Sequence, residues 1–107
     1  MVKLDRKLAS MLSLCQRAGF MTSGEEGTEL ALKNKKAKLV IIAEDASDNT
    51  KKKFLNKTSY YKVNAVVCGS RNELGACIGK SVRTVLAVVD NDNFAEKIFE
   101  IANTSLS

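Results

Sequence analysis

Met21-Thr-Ser-Gly-Glu-Glu-Gly27 and Leu39-Val-Ile-Ile-Ala43 are the two stretches on which we base the interpretation of the fold. In the first, Ser23 and Glu26 have the S-x-x-E spacing of a capping box, in which both side chains bind backbone amides at a helix start. The second is a nearly continuous apolar run rich in β-branched residues, which is typical of a strand in a sheet covered on both faces. The pattern therefore predicts a helix over residues 24–34 that leads into a buried strand over 38–43.

Helix and strand patterns alternate along the rest of the chain. Apolar residues at three- and four-residue steps predict an amphipathic helix over 4–18. After the buried strand we expect a helix from 47 or 48 to 59, with Phe54, Leu55 and Thr58 facing inward, and then a strand over 63–68. A second capping box at Ser70 and Glu73 predicts a short helix, which is followed by a strand over 84–89. The chain then ends in a helix capped at Asn91-Asp-Asn93 and a frayed tail over 103–107. This succession predicts one α/β domain, residues 1–107, with helices on both sides of a mostly parallel sheet.

Composition excludes several classes of function. The 107 residues include no histidine, so histidine-based catalytic triads and histidine metal ligands are excluded. The cysteines, Cys15, Cys68 and Cys77, are odd in number and lack CxxC spacing, which argues against a disulfide framework or a zinc site and favours small core residues. No apolar run approaches the ~20 residues of a membrane span, and the N-terminal pattern does not resemble a signal peptide. We therefore expect a cytoplasmic protein without a cofactor.

Charge is distributed unevenly along the chain. Residues 1–83 carry 16 basic and 8 acidic side chains, whereas residues 84–107 carry one lysine and four acidic side chains. Lysines cluster over 33–38 and 51–57. A basic body with an acidic C-terminal segment suits a polyanionic partner approached from one side, and it is equally compatible with ordinary solubility.

Three local constellations have more than one interpretation. Glu25 and Glu26 would repel a phosphate at the helix start. Helix capping explains Glu26 and the helix dipole explains Glu25 without any function. In the functional interpretation, a carboxylate at this position accepts hydrogen bonds from N1 and N2 of an exposed guanine. The pair Glu44-Asp45 could be an acid pair, a magnesium site or a helix-capping loop. The loop Gly79-Lys-Ser-Val-Arg83 carries two cations and a hydroxyl that the turn does not need for folding.

Several stretches together resemble one known family. They are Gln16-Arg-Ala-Gly19, Ser23-Gly-Glu-Glu26, Ala37-Lys-Leu, Ala43-Glu-Asp-Ala-Ser47 and Leu74-Gly-Ala-Cys-Ile-Gly-Lys-Ser-Val-Arg83. The chain resembles the kink-turn-binding family of ribosomal proteins, the group around L7Ae and L30e, and in particular its bacterial YlxQ-like branch. The resemblance implies a three-layer α-β-α sandwich around a mixed, mostly parallel four-stranded sheet. It also implies a monomeric, non-enzymatic protein that binds structured RNA, with the ribosome as the expected location.

The resemblance also implies an RNA-binding site. In the family, the start of the second helix meets tandem sheared G·A pairs, and a later loop covers bases flipped from the bend. Gly24 matches the leading glycine of the archaeal G-x-N-E-x-x-K pattern. At the positions of the archaeal asparagine, glutamate and lysine, this chain has Glu26, Gly27 and Leu30. Val82 stands where a proline is common. The expected RNA-binding residues are Gly24, Glu25, Glu26, Gly27, Lys33, Lys36, Lys80, Ser81, Val82 and Arg83.

Two other classes of function compete with kink-turn recognition. A protein-interaction module on the same fold would use the acidic last helix as its contact face. A small enzyme would use Glu44-Asp45 with Lys80 and a metal ion. We expect RNA-phosphate contacts from Lys33, Lys36, Lys80 and Arg83 only under the RNA-binding hypothesis.

Overall fold

The computed structural model describes residues 4–104, which form five helices and four strands. The helices are α1 (Arg6–Arg17), α2 (Glu25–Lys33), α3 (Asp48–Tyr61), α4 (Arg71–Cys77) and α5 (Asp92–Thr104), and the strands are β1 (Met21–Ser23), β2 (Ala37–Ile42), β3 (Asn64–Val67) and β4 (Val85–Val89). The predicted helices and the three predicted strands are confirmed, and β1 is a short additional strand before α2. Asn103 and Thr104 are helical rather than frayed, and the remainder of the predicted tail lies outside the described residues.

The sheet is mixed, with the strand order β1-β4-β2-β3. Only β2 and β3 are parallel, whereas β4 is antiparallel to both of its neighbours, β1 and β2. The prediction of a mostly parallel sheet is therefore wrong. The reason is that α4 and the loop after it return the chain to the same end of the sheet, where the amide of Ala43 donates to the carbonyl of Thr84 at 2.8 Å.

This antiparallel pairing gathers four chain segments at one end of the sheet. The parallel strands β2 and β3 end there, and the amide of Glu44 donates to the carbonyl of Gly69 at 2.8 Å. Because β4 is antiparallel to β1, β4 begins where β1 ends, with Ser23 opposite Leu86. The start of α2 therefore lies beside the loop that precedes β4.

Helices cover both faces of the sheet, so the three-layer α-β-α arrangement is confirmed. On one face α1 contacts α4 and α5, and on the other α2 contacts α3. The centre of the sheet is fully buried at Leu39–Ile42 of β2 and at residues 85–88 of β4. This double cover explains why both strands are apolar at nearly every position rather than at alternate ones. No helix within residues 4–104 is long and apolar enough to cross a lipid bilayer.

Local hydrogen bonds explain where the helices begin. The second predicted capping box is confirmed, because Ser70 accepts from the amide of Glu73 at 3.1 Å and Glu73 accepts from the amide of Ser70 at 2.8 Å. The first is wrong: Ser23 is paired within β1, and Gly24 is the N-cap of α2, with no side-chain capping bond. Gly24 has φ of +88° and ψ of 162°, a conformation that side chains strongly disfavour.

The cysteines occupy the positions expected of core residues. Cys15 and Cys68 are buried, and burial raises the pKa of Cys15 to about 11 and that of Cys68 to about 12. Cys77 is half-buried.

The predicted inward face of α3 differs from the structure at one residue. Phe54 is fully buried as predicted, but Leu55 is 44% exposed because it lies a further step round the helix.

Candidate RNA-binding surface

The start of α2 and the loop before β4 form one continuous surface. The amide of Gly24 donates to the carbonyl of Val85 at 2.9 Å, and Nε of Arg83 donates to Oγ of Ser23 at 3.2 Å. These bonds join segments that are about sixty positions apart in the sequence. We call residues 24–27 and 80–83 the α2–loop surface. Eight of the ten predicted site residues lie on it.

The loop over residues 80–83 is pressed against α4. Its amides bind that helix: Lys80 donates to the carbonyl of Gly75 at 2.8 Å, and Arg83 donates to the carbonyl of Arg71 at 3.0 Å. A Cβ atom at Gly75 would lie only 1.7 Å from the carbonyl oxygen of Ser81, so no larger residue fits there without displacement of the loop. Gly75 is therefore a positioning residue for the surface, although it does not belong to it.

Arg83 is held in place by its neighbours, whereas the other loop side chains extend into solvent. Besides the bond to Ser23, Nη1 of Arg83 donates to the carbonyl of Val82 at 2.8 Å and to Oγ of Ser81 at 3.2 Å. Lys80 and Ser81 are exposed, and Val82 is 46% exposed. The loop thus combines a fixed guanidinium with an apolar side chain in water, a combination suited to a flat base and a nearby phosphate.

The two carboxylates at the start of α2 differ in their contacts. Glu25 accepts from Oγ1 of Thr50 at 3.5 Å and lies 3.9 Å from Nζ of Lys53, so α3 engages it. Glu26 is exposed and has neither a hydrogen bond nor an ion pair with any residue in 4–104. Gly27 packs closely on Thr22, whose Oγ1 would lie 2.8 Å from an added Cβ. Glu26 is therefore the acceptor on this surface whose lone pairs are available to a ligand.

Lys33 and Lys36 lie at the far end of α2, although Lys33 lines a depression between α2 and α3 together with Glu26. Both are exposed, but Lys33 ends α2 and Lys36 precedes β2. Eight helical steps separate Glu25 from Lys33, which corresponds to about 12 Å along the helix axis. The structure therefore does not bring these two lysines onto the α2–loop surface.

Helix capping explains Asp45 of the Glu44-Asp45 pair, but not Glu44. Asp45 accepts from the amide of Arg71 through Oδ1 at 2.8 Å, and its Oδ2 lies 3.8 Å from Nε of Arg71. Asp45 thus holds the first turn of α4. Oε1 of Glu44 is buried without a hydrogen-bond partner among the described residues. Within 4–104, no group of three acidic, histidine or cysteine side chains is arranged to hold a metal ion.

Sequence reasoning missed the contacts that position this surface. The sequence pattern predicts a helix cap at Ser23, but Ser23 accepts from Arg83. It places Lys53 in a cluster of lysines, but Lys53 bridges Glu25 and Glu29. The hydrogen bond of Lys53 lowers the pKa of Glu29, and that of Glu29 raises the pKa of Lys53. No local signal identifies such pairs, because each joins two elements whose proximity depends on the tertiary fold.

Comparisons with known proteins identify a family and two relatives of this chain. The model of the Ribosomal protein L7Ae/L30e/S12e/Gadd45 family matches residues 6–99. The chain is 44% identical to a protein named RNA-binding protein YlxQ from Enterococcus faecium over 96 residues, which is 90% of this chain and 91% of the relative. It is also 44% identical to the RNA-binding protein YlxQ of Bacillus subtilis (strain 168), over 85% of this chain and 90% of that one.

Solved structures share the fold. A protein of unknown function from Bacillus halodurans has a TM-score of 0.88 and 37% identity, with 92% of this chain and 99% of that chain covered. The Giardia lamblia 15.5kD RNA binding protein has a TM-score of 0.76 at 22% identity, covering 95% of this chain and 90% of its own. The second likeness supports the fold alone.

Proposed function

Since the chain belongs to the Ribosomal protein L7Ae/L30e/S12e/Gadd45 family, we propose that this RNA-binding protein recognises kink-turn RNA through the α2–loop surface and has no catalytic role. One observation carries the proposal. The α2–loop surface combines three groups: the exposed carboxylate of Glu26, the fixed guanidinium of Arg83 and the exposed apolar side chain of Val82. The carboxylate of Glu26 has no hydrogen-bond or ion-pair partner within residues 4–104.

Glu26 supplies the base-specific contact. A carboxylate accepts hydrogen bonds only, and the N1 and N2 groups of guanine both donate. Two carboxylate oxygens match these two donors, whereas the corresponding edge of adenine offers an acceptor at N1. In tandem sheared G·A pairs this guanine edge is open to a protein. Gly24 and Gly27 flank the carboxylate without side chains, so the RNA backbone can approach the start of α2 closely.

The loop over 80–83 supplies the second half of recognition. Val82 packs against the face of a base that the bend has turned out of its stack, because unstacked bases bind exposed apolar and planar groups. Lys80 and Arg83 contact phosphates beside that base, with Ser81 as a neutral donor. Lys33 and Lys36 contact phosphates farther along the same RNA. The ribosome, where structured RNA is abundant, is the proposed location in the cytoplasm.

A charge-matched pair of variants tests the role of Glu26. In Glu26→Ala, affinity for kink-turn RNA should fall roughly 10- to 100-fold, since a hydrogen bond to a charged group contributes about 1.5–3 kcal/mol. Glu96→Ala removes the same charge from an exposed position of α5, on the other side of the sheet. Because loss of a negative charge reduces repulsion of RNA, the Glu96 variant should bind as well as or slightly better than the unmodified protein.

The RNA side of the experiment uses three ligands measured by fluorescence anisotropy at fixed salt. They are a kink-turn, the same RNA with Watson–Crick pairs in place of the sheared G·A pairs, and a plain duplex of equal length. The unmodified protein should prefer the first, and Glu26→Ala should lose most of that preference. Equal binding to all three ligands would reduce the function to non-specific RNA association. Tighter binding by Glu26→Ala would show that the carboxylate only repels RNA.

A further inference from the structure

We propose that six lysines at the far end of α2 form a second RNA-phosphate contact, which holds a stem of the RNA whose bend occupies the α2–loop surface. We call them the distal lysine cluster: Lys33, Lys35, Lys36, Lys38, Lys57 and Lys62. The inference rests on the proposed function in that it assigns both contacts to one RNA.

Three chain segments bring the cluster together. The turn after α2, the first residues of β2 and the end of α3 surround a cavity of about 480 Å³, which Lys35, Lys38 and Lys62 line. The rest of its wall consists of Leu32, Ala37, Tyr61, Val63, Asn64 and Asp92. The neighbouring depression between α2 and α3 is lined by Lys33, Lys57 and Tyr61 together with Leu30 and the carboxylates of Glu26 and Glu29. Lysines that are scattered in the sequence thus form one surface.

Two of these lysines adopt a backbone conformation that favours glycine. Lys35 has φ of +60° and Lys62 has φ of +59°, at the positions where α2 and α3 end. Glycine, and less often asparagine, is usual at such positions because a Cβ atom destabilises the left-handed conformation. A lysine in the last helical turn would interact with the helix dipole equally well without this strain. Strained residues that persist in a fold are often functional, and here both line the same cavity.

The charge of this region is only partly balanced. Lys38 lies 3.9 Å from Asp92, and the amide of Asp90 donates to the carbonyl of Lys36 at 3.0 Å. Glu26 and Glu29 line the depression beside Lys33 and Lys57, so four acidic residues border the six lysines. The five lysines other than Lys38 form no ion pair with any residue in 4–104. The surface therefore keeps an excess of positive charge, which attracts a polyanion.

The chemistry of the cavity favours RNA phosphates over an acidic peptide. The core of a peptide interface is depleted of charged residues, whereas Lys35, Lys38, Lys62 and Asp92 place four charges among the apolar and aromatic residues of these walls. Phosphate contacts need only cations spaced along a surface. The cluster begins about 12 Å from Glu25 along the axis of α2, which is compatible with a stem that continues from the bend.

The variant Lys35→Gly/Lys62→Gly separates binding from folding. Both substitutions remove a charge and relieve the left-handed strain, so Tm should stay equal or rise while RNA binding weakens. In a salt titration with kink-turn RNA, the slope of log affinity against log salt should decrease in magnitude by about two, one for each lost phosphate contact. The preference for kink-turn over Watson–Crick RNA should remain, because the α2–loop surface is unchanged.

Lys7→Gln/Lys97→Gln is the matched control. It removes the same total charge from α1 and α5, on the opposite face of the sheet, and should leave the salt slope unchanged. Lengthening each RNA stem in turn should raise the affinity of the unmodified protein for one of the two lengthened RNAs, and the glycine variant should lose this gain. An unchanged slope in the glycine variant, or an equal change in the control, would overturn the proposal.

Failure of the proposed function would give a different result. If the unmodified protein bound kink-turn and Watson–Crick RNA equally, kink-turn recognition would be wrong. The glycine variant would still test the distal lysine cluster, because a lower salt slope with duplex RNA supports a phosphate contact and an unchanged slope contradicts it.

Discussion

Gly75 illustrates how a single residue outside the candidate surface can determine its shape. Gly75→Ala would place a methyl group 1.7 Å from the carbonyl oxygen of Ser81, and the backbone of the loop would have to move. We expect a loss of about 1–3 kcal/mol in the free energy of unfolding, as for other overpacked sites, and weaker RNA binding. Urea denaturation and anisotropy measure the two effects.

Gly27→Ala is the control for Gly75→Ala. Its Cβ would lie 2.8 Å from Oγ1 of Thr22, which can move by rotation about χ1, and at an ordinary contact distance of 4.0 Å from Cβ of Thr22. Alanine also favours a helix over glycine by about 0.5–1 kcal/mol, which offsets part of the strain. The stability of this variant should therefore change little. Equal losses of stability in the two variants would contradict the account of the loop.

At the scale of a residue, the spacing around Glu26 predicts a contact that the structure does not contain. The S-x-x-E spacing assigned its carboxylate to a helix cap, but β1 continues through Ser23 and leaves Gly24 as the N-cap. The cap geometry is therefore absent and the carboxylate extends into solvent. The functional interpretation of Glu26 came from the resemblance to a family rather than from spacing.

At the scale of elements, Lys53 joins α3 to the first turns of α2. It forms an ion pair with Glu29, and its hydrogen bond lowers the pKa of that carboxyl from the ordinary value of 4.5. Such a group stabilises the fold above its unfolded-state pKa, and the contribution is lost as the pH falls through the lower folded-state value. The pair therefore contributes to stability at neutral pH and not in strong acid.

The variant Lys53→Met should raise the pKa of Glu29 toward its ordinary value. It should also lower Tm slightly at neutral pH, with the difference from the unmodified protein disappearing in acid. Carbon-detected NMR titration of the Glu29 carboxyl measures the pKa directly. Lys52→Met is the control, since Lys52 is exposed and forms no ion pair within residues 4–104. The same pKa for Glu29 in both variants would contradict the assigned contact.

The sequence predicts the elements better than their arrangement. Strands β2 and β4 follow from apolar runs, and α4 follows from the capping box at Ser70 and Glu73. The direction of β4 does not follow from local pattern, because it depends on contacts such as the one between Ala43 and Thr84. The proximity of α2 to the loop over 80–83 results from that direction, so periodicity alone could not have assembled the candidate surface.

At the scale of the molecule, the lysines that we assign to RNA contacts gather in one part of the fold. The distal lysine cluster and the start of α2 belong to the layer formed by α2 and α3. The acidic C-terminal segment forms α5, in the opposite layer. The layer that contains α5 also carries the basic side chains of Arg6, Lys7 and Arg17 on α1, so the positive excess is local to the distal lysine cluster, which attracts a polyanion there.

The contact between Glu26 and guanine is the central claim, and a double-mutant cycle tests it most directly. Affinities of the unmodified protein and of Glu26→Ala are measured for a kink-turn and for the same RNA with inosine, which lacks the N2 amino group, in place of the contacted guanosine. Any effect of inosine on RNA folding is common to both proteins and cancels. We predict that inosine weakens binding by the unmodified protein and has little further effect on Glu26→Ala, with a coupling energy of about 0.5–3 kcal/mol. Weakening of both proteins by the same factor would contradict the claim.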